Sequence, residues 1–347
     1  MESRKKTVFN ILFLIALFLI TIYLMFSGQD LKTILEYVHQ VKKRYLILGI
    51  TLVVVYVCCE SVIIKYLLRV VQIKWPLYRC IRYSFIGFFF SCITPSATGG
   101  QPAQIYYMKK EGLDIPTSTI ILMLVTIEYK FVLVFIGLGI LLFGQVLIAM
   151  MTTEVQFYLY LGLGLNIFCV VFMSFLVFLP ETSRFLMEKL YYILGKLRIL
   201  KNLDKKMEKL SKSMDTYHEA SVFLKKNKLA IFNVFIISLV QRLILFFVTY
   251  VVYRSFGLQG HSALQITILQ ATISISVDML PLPGGMGISE HLFRCIFTPI
   301  FGTAALTLSA MLLSRGISYY ALILISALVT FYSHLTIGKI RKKRGLS

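Results

Sequence analysis

Seven ionisable residues lie within or beside apolar stretches of this chain: Glu60, Glu128, Lys130, Arg242, Asp278, Glu290 and Arg315. A charge placed in hydrocarbon costs about 2.5–3.5 kcal/mol on insertion scales, so such residues either bind a charged ligand or neutralise one another. Mutual pairing would join Glu128 to Arg315 or Lys130, and Asp278 to Arg242. Ligand binding would use the acids for an amine and the cations for a phosphate. Two helix-breaking motifs accompany these charges. One runs Pro95-Ser96-Ala97-Thr98-Gly99-Gly100-Gln101-Pro102, with Gln104 beyond it. The other runs Pro281-Leu282-Pro283-Gly284-Gly285-Met286-Gly287-Ile288-Ser289-Glu290. Proline and paired glycines free backbone N–H and C=O groups. In a membrane those groups must be buried in protein or line a polar cavity. The short helix after each break offers first-turn N–H groups that favour phosphate. Thr94, Ser96 and Thr98 have hydroxyls for the freed backbone. The candidate substrate-binding set is therefore Glu60, Thr98, Gly99, Gly100, Gln101, Gln104, Glu128, Lys130, Arg242, Asp278, Gly284, Gly285, Ser289, Glu290 and Arg315.

Catalytic chemistry finds no support in motifs. The sequence has no HExxH, GxSxG, Walker loop or GxGxxG. Its six cysteines form no CxxC and its five histidines are scattered singly. No catalytic residue, metal site or cofactor is assigned.

The elements that must position these residues are membrane helices. Hydrophobic residues make up 58% of the 347, well above the ~45–50% of soluble domains. Apolar runs at Val8–Phe26, Tyr45–Ile64, Pro116–Phe143, Val155–Leu179, Leu229–Tyr253 and Thr303–Ile337 read as spans. The last is long, about 35 residues or ~52 Å as a helix, and is one tilted helix or one broken at Gly316. Ser84–Thr94 and Ala263–Met279 stop at the glycine motifs and are too short to cross. Each is read as the inbound arm of a re-entrant hairpin. Leu31–Arg44 is an interfacial segment. Glu181–Lys228, with twelve Lys and Arg against six Asp and Glu, is a basic amphipathic helix lying on the membrane surface.

The fold class expected is an all-α polytopic membrane protein with inverted-topology repeats, each carrying a re-entrant broken-helix hairpin. The segments are 1–44 (first helix and interfacial stretch), 45–143 (repeat 1), 144–180 (linking helix), 181–228 (basic segment), 229–338 (repeat 2) and 339–347 (basic tail). Lys130 follows Gly100 by 30 residues and Arg315 follows Gly285 by the same 30. Counting crossings places most cations, including Lys65–Arg82, Lys109-Lys110, the 181–228 segment and the tail, on one face. Lys32, Lys42, Lys43, Arg44, Arg254 and Arg294 fall on the other. The net charge of +20 thus reads as positive-inside topology with both termini cytoplasmic, not as a nucleic-acid surface. The hairpin tips are expected to meet near the midplane.

At the two Pro/Gly-Gly motifs the chain resembles the lysylphosphatidylglycerol synthase/flippase transmembrane region, the membrane domain of the multiple peptide resistance factor and its stand-alone relatives. The resemblance spans about residues 8–340. It implies a bacterial plasma-membrane flippase for lysyl-phosphatidylglycerol or another phospholipid, contributing to membrane charge and to resistance against cationic antimicrobial peptides. In two-part relatives a separate cytosolic domain makes the aminoacyl lipid. No such domain is read here, so the resemblance is to the translocating half. The implied partners are the phospholipid substrate, membrane lipids, a separate cytosolic synthase and a second copy in a homodimer. Other readings are a lysyltransferase-type or glycosyl-transferring membrane enzyme, a polyprenyl-phosphate-sugar flippase, and a non-catalytic subunit recruiting a partner through Glu181–Lys228.

Overall fold

The computed structural model describes residues 36, 39, 41–94, 97–196, 203–282, 285 and 287–343, and every regular element among them is helical. The first span Val8–Phe26, most of Leu31–Arg44, Ser96, Gly284 and the end of the tail lie outside the described residues. In chain order the helices are α1 Lys43–Val70, α2 Leu77–Cys92, α3 Gly100–Glu111, α4 Ile115–Phe143, α5 Gln145–Ala149 and α6 Thr153–Phe178. They continue with α7 Pro180–Lys196, α8 Leu203–Lys226, α9 Lys228–Ser255, α10 Ala263–Val277, α11 Ile288–Phe301 and α12 Ala304–Arg315. A π-helical turn, Gly316–Ala321, joins α12 to α13 Leu322–Lys343.

Five of these runs are long and apolar enough to cross a membrane: α1, α4, α6, α9 and the combined run Ala304–Thr336. The chain is a multi-pass membrane protein. Helices satisfy their own backbone, which lipid requires. Their starts are capped by short polar side chains: Asp114 accepts from Thr117 N–H at 2.8 Å, and Ser262 from Gln265 N–H at 3.1 Å. Pro116 sits in the first turn of α4, where its missing N–H costs nothing.

Helices α1 and α9 pack antiparallel. Tyr45 meets Arg254, Gln241 donates to the Tyr56 carbonyl at 2.9 Å, and Asn233 donates to the Tyr66 hydroxyl at 3.0 Å. Two helical hairpins flank this pair. In the first, α2 and α3 run side by side in opposite directions. A Cβ on Gly100 would lie 2.8 Å from the Gly87 carbonyl oxygen, and a Cβ on Gly87 would strike Gln104. At the open end Glu111 of α3 takes Arg82 at 2.6 Å and the Tyr83 hydroxyl, beside Trp75. In the second, His261 just before α10 and Phe301 ending α11 both pack on Tyr253. Tyr253 is at the C-terminal end of α9 and Arg82 follows the C-terminal end of α1. The hairpins therefore open at opposite ends of the antiparallel pair.

Two expectations are corrected and one open alternative is decided. The basic residues Lys65, Arg69, Arg79 and Arg82 lie within helices, because α1 continues to Val70 and α2 starts at Leu77. Helix α2 is consequently 16 residues long, Leu77–Cys92, rather than Ser84–Thr94. Its two arginines are tolerated there because Glu111 pairs with both. Of the two alternatives for the last apolar run, one continuous helical rod is the one found, rewound as a π turn from Gly316. The 181–228 segment contains two helices rather than one. Helix α8 buries Leu210, Met214, Tyr217, Ala220 and Leu224 in the main core, and Tyr217 donates to the Leu176 carbonyl at 3.0 Å. Helix α7 keeps Phe185, Leu186, Leu190 and Ile193 exposed.

Candidate functional site

A cavity of about 290 Å³ lies where the two hairpin tips meet. The first tip contributes Ser91, Cys92 and Ala97; the second contributes Asp278, Leu282, Gly285 and Ser289. Tyr56 of α1, Arg242 of α9, and Arg315, Ser318 and Tyr319 of the last helical run close the remaining walls.

Local chemistry holds both tips in place. At the first, Thr94 replaces lost helix bonds: its hydroxyl donates to the Phe90 carbonyl at 2.7 Å and accepts from Gly99 N–H at 2.9 Å. Ala97 takes φ 55°, a left-handed backbone that costs an L-residue roughly 1–2 kcal/mol. Gly99 and Gly100 serve close packing: a Cβ on Gly100 would overlap the Ser91 hydroxyl. At the second tip Gly285 has φ 65° and its missing Cβ faces Val277 at 3.0 Å.

Three cations define the electrostatics. Lys130 reaches from α4 to Asp278 at 2.6 Å. Arg315 pairs with Glu290 at 2.7 Å and donates to the Ser289 hydroxyl. Glu290 in turn accepts from Gly287 N–H at 2.6 Å, so the start of α11 is occupied by its own carboxylate rather than left open for an anion. The third cation differs. Arg242 donates to the Tyr56 hydroxyl at 2.8 Å and stacks on the rings of Tyr56 and Tyr129, at 5.3 and 4.3 Å to their centroids. Among the described residues no carboxylate stands within ion-pairing distance of it, and its buried Nε has no hydrogen-bond partner. The expected pairing of Asp278 with Arg242 is thus replaced by Asp278 with Lys130. Arg242 remains a charged donor at the cavity wall.

The structure divides the candidate residues. Arg242, Asp278, Gly285, Ser289 and Arg315 line the cavity. Lys130 and Glu290 stand one layer behind as their partners. Gln104 donates to Glu60 at 2.8 Å, tying the first hairpin to α1, and Gln101 donates to the Leu122 carbonyl at 3.3 Å and to Thr126. These three hold the hairpin instead of facing the cavity. Thr98 is exposed. Glu128 is buried away from the cavity, with no hydrogen-bond or ion-pair partner among the described residues, so neither expected Glu128 pairing forms.

Several lining residues are absent from the sequence-derived set. Gln270 and Ser274 stand four apart, with Asp278 four further on, as one polar stripe on the apolar α10; Ser314 and Ser318 flank Arg315 similarly. That i, i+4 spacing was the available signal. Tyr319, whose hydroxyl donates to the Cys92 carbonyl at 2.9 Å, carries no such signal, because the π turn sets its direction.

The family model for the lysylphosphatidylglycerol synthase TM region matches residues 11–326. A UPF0104 membrane protein of Pyrococcus horikoshii is 24% identical over 321 residues, covering 89% of this chain and 92% of that protein. No solved structure matches.

Proposed function

The chain belongs to the lysylphosphatidylglycerol synthase transmembrane-region family, and we propose that it is a lipid translocator that passes a phospholipid headgroup through the cavity between the hairpin tips. The observation that carries this reading is Arg242, a guanidinium at the cavity wall with no carboxylate within ion-pairing distance among the described residues. A planar fork held between two tyrosine rings is built for a phosphodiester oxygen pair. Asp278 and the hydroxyls of Ser274, Ser289 and Ser318 lie around the same space and would take the hydrogen-bonding part of the headgroup, an amine included. A volume of about 290 Å³ is near the ~300 Å³ lower end for small-ligand sites, so it admits a headgroup while acyl chains stay in lipid.

The antiparallel α1–α9 pair and the oppositely directed hairpins support inverted repeats, with each hairpin re-entering from its own face. The end that carries Arg79, Arg82, Lys109, Lys110 and α8 is the more basic one and is assigned to the cytoplasm. An aminoacylated phospholipid made by a separate synthase is the first substrate to test.

The test is headgroup-labelled lipid transfer in proteoliposomes, with phosphatidylglycerol, lysyl-phosphatidylglycerol and a polyprenyl phosphate as separate arms. Arg242→Gln is expected to slow transfer about tenfold or more, because a charge-assisted hydrogen bond contributes ~1.5–3 kcal/mol. Arg242→Lys recovers only part of the rate, since an ammonium cannot form the fork. An unchanged rate in the glutamine variant, with its fold intact, removes this proposal.

A further inference from the structure

Away from the cavity, three chemically different metal donors converge on one point at the protein surface. Glu154 lies in the first turn of α6; His291 and Cys295 are one helical turn apart on α11. His291 Nε2 is 3.1 Å from Glu154 Oε1 and 3.6 Å from Cys295 Sγ, and all three ligand atoms lie within 4.8 Å of one another. A tetrahedral zinc ion with bonds of about 2.0–2.1 Å to N and O and about 2.3 Å to S would set these two separations near ~3.3 and ~3.6 Å. These two spacings match that geometry, and the third, between the Glu154 carboxylate and the Cys295 sulfur, is within 4.8 Å. The Glu154 and His291 side chains are about half exposed, at 53% and 51%, so an ion can reach them without opening the fold.

We propose that Glu154, His291 and Cys295 form a binding site for one zinc-class divalent cation that ties α11 to α6. The donor set selects the metal. Thiolate and imidazole favour zinc or cobalt over magnesium and calcium, which prefer all-oxygen shells. The thiolate and carboxylate together balance a charge of two. Three protein ligands leave the fourth position for water, as in open zinc sites. No CxxC or HExxH pattern marks the site, because its ligands come from two helices 137 residues apart and from an i, i+4 His–Cys pair. Its position gives it leverage. His291 follows Glu290, which holds Arg315 at the cavity. Metal binding would clamp the outbound arm of the second hairpin against a neighbouring span.

The experiment uses the full chain, purified in detergent under reduction and stripped with a chelator, then titrated with cobalt(II). The expected result is one Co²⁺ per chain, a near-ultraviolet thiolate-to-cobalt charge-transfer band, and visible bands of a tetrahedral ion. Cys295→Ser should abolish the charge-transfer band while the other five cysteines remain. Glu154→Gln, a change at the protein surface that keeps a side chain of the same length, should weaken binding about tenfold or more, in the range seen when a supporting group of a metal site is lost. Added zinc should raise the Tm of the native chain and not that of Cys295→Ser. Absence of the band, its survival in Cys295→Ser, or an equal zinc effect on Tm in both proteins overturns the site.

Discussion

Lys130 Nζ stands 2.6 Å from Asp278 Oδ2, an ion pair that joins the middle of α4 to the end of α10. It satisfies the one acid among the described cavity-lining residues, which would otherwise neutralise Arg242. Removing one partner of a buried pair leaves the other charge uncompensated and costs ~3–5 kcal/mol. Asp278→Asn is therefore expected to lower the Tm in detergent substantially, and Lys130→Met combined with Asp278→Leu to restore most of it. Equal losses in the single and double variants would show that the pair is not the source.

Gly162 offers a test of packing without charge. A Cβ there would lie 2.3 Å from the Ile275 carbonyl oxygen and 2.7 Å from the Ser276 Cα, where α6 crosses α10, and backbone cannot swing aside. Gly164, two residues on, has nothing within 4 Å of a built Cβ. Gly162→Ala is expected to cost about 1–3 kcal/mol through overpacking, and Gly164→Ala to leave the Tm unchanged or raised. Thermal unfolding and folded yield read both. Similar behaviour of the two variants would contradict the contact.

Ala97 carries a left-handed φ of 55° in the first hairpin tip. Glycine adopts this backbone freely but loses more entropy on folding, roughly 0.5–1 kcal/mol relative to alanine. Set against the ~1–2 kcal/mol steric cost for an L-residue, Ala97→Gly should stabilise the protein by up to about 1.5 kcal/mol. A drop in Tm would mean the tip has another backbone conformation.

Glu128 is buried in a membrane span, away from the cavity and from any partner among the described residues. Glu128→Gln should raise the Tm, since an amide is cheaper to bury than a carboxylate, and should leave lipid transfer near the native rate. A large loss of transfer would return Glu128 to the substrate path.

The fold was legible wherever lipid forces one solution. Apolar length alone located α1, α4, α6, α9 and the last run, because only helices satisfy their backbone there. The cavity was half legible. Paired glycines and intramembrane charges pointed to Gly285, Arg242, Asp278 and Arg315, since their placement is costly in any other setting. Which charge met which was not legible: Asp278 sits near both Lys130 and Arg242, and its hydrogen-bonded pairing with Lys130 is a matter of side-chain placement that spacing along the chain does not encode. Gln101 and Gln104 misled because a polar residue after a break serves a hairpin as well as a ligand. Tyr56 and Tyr319 gave no signal, being two among 20 tyrosines.

The π turn at Gly316–Ala321 acts as a phase shifter. Each residue of an α-helix turns the chain by about 100° and advances it ~1.5 Å. One residue absorbed as a bulge therefore rotates everything beyond it by about that angle. Arg315 can face the cavity from α12 while α13 presents His334 to Tyr107 of α3 at 3.0 Å. A uniformly wound rod would have one angular setting for both contacts. This rod has two, so its grip on Glu290 and its seam with the first hairpin can each be tuned by sequence without disturbing the other.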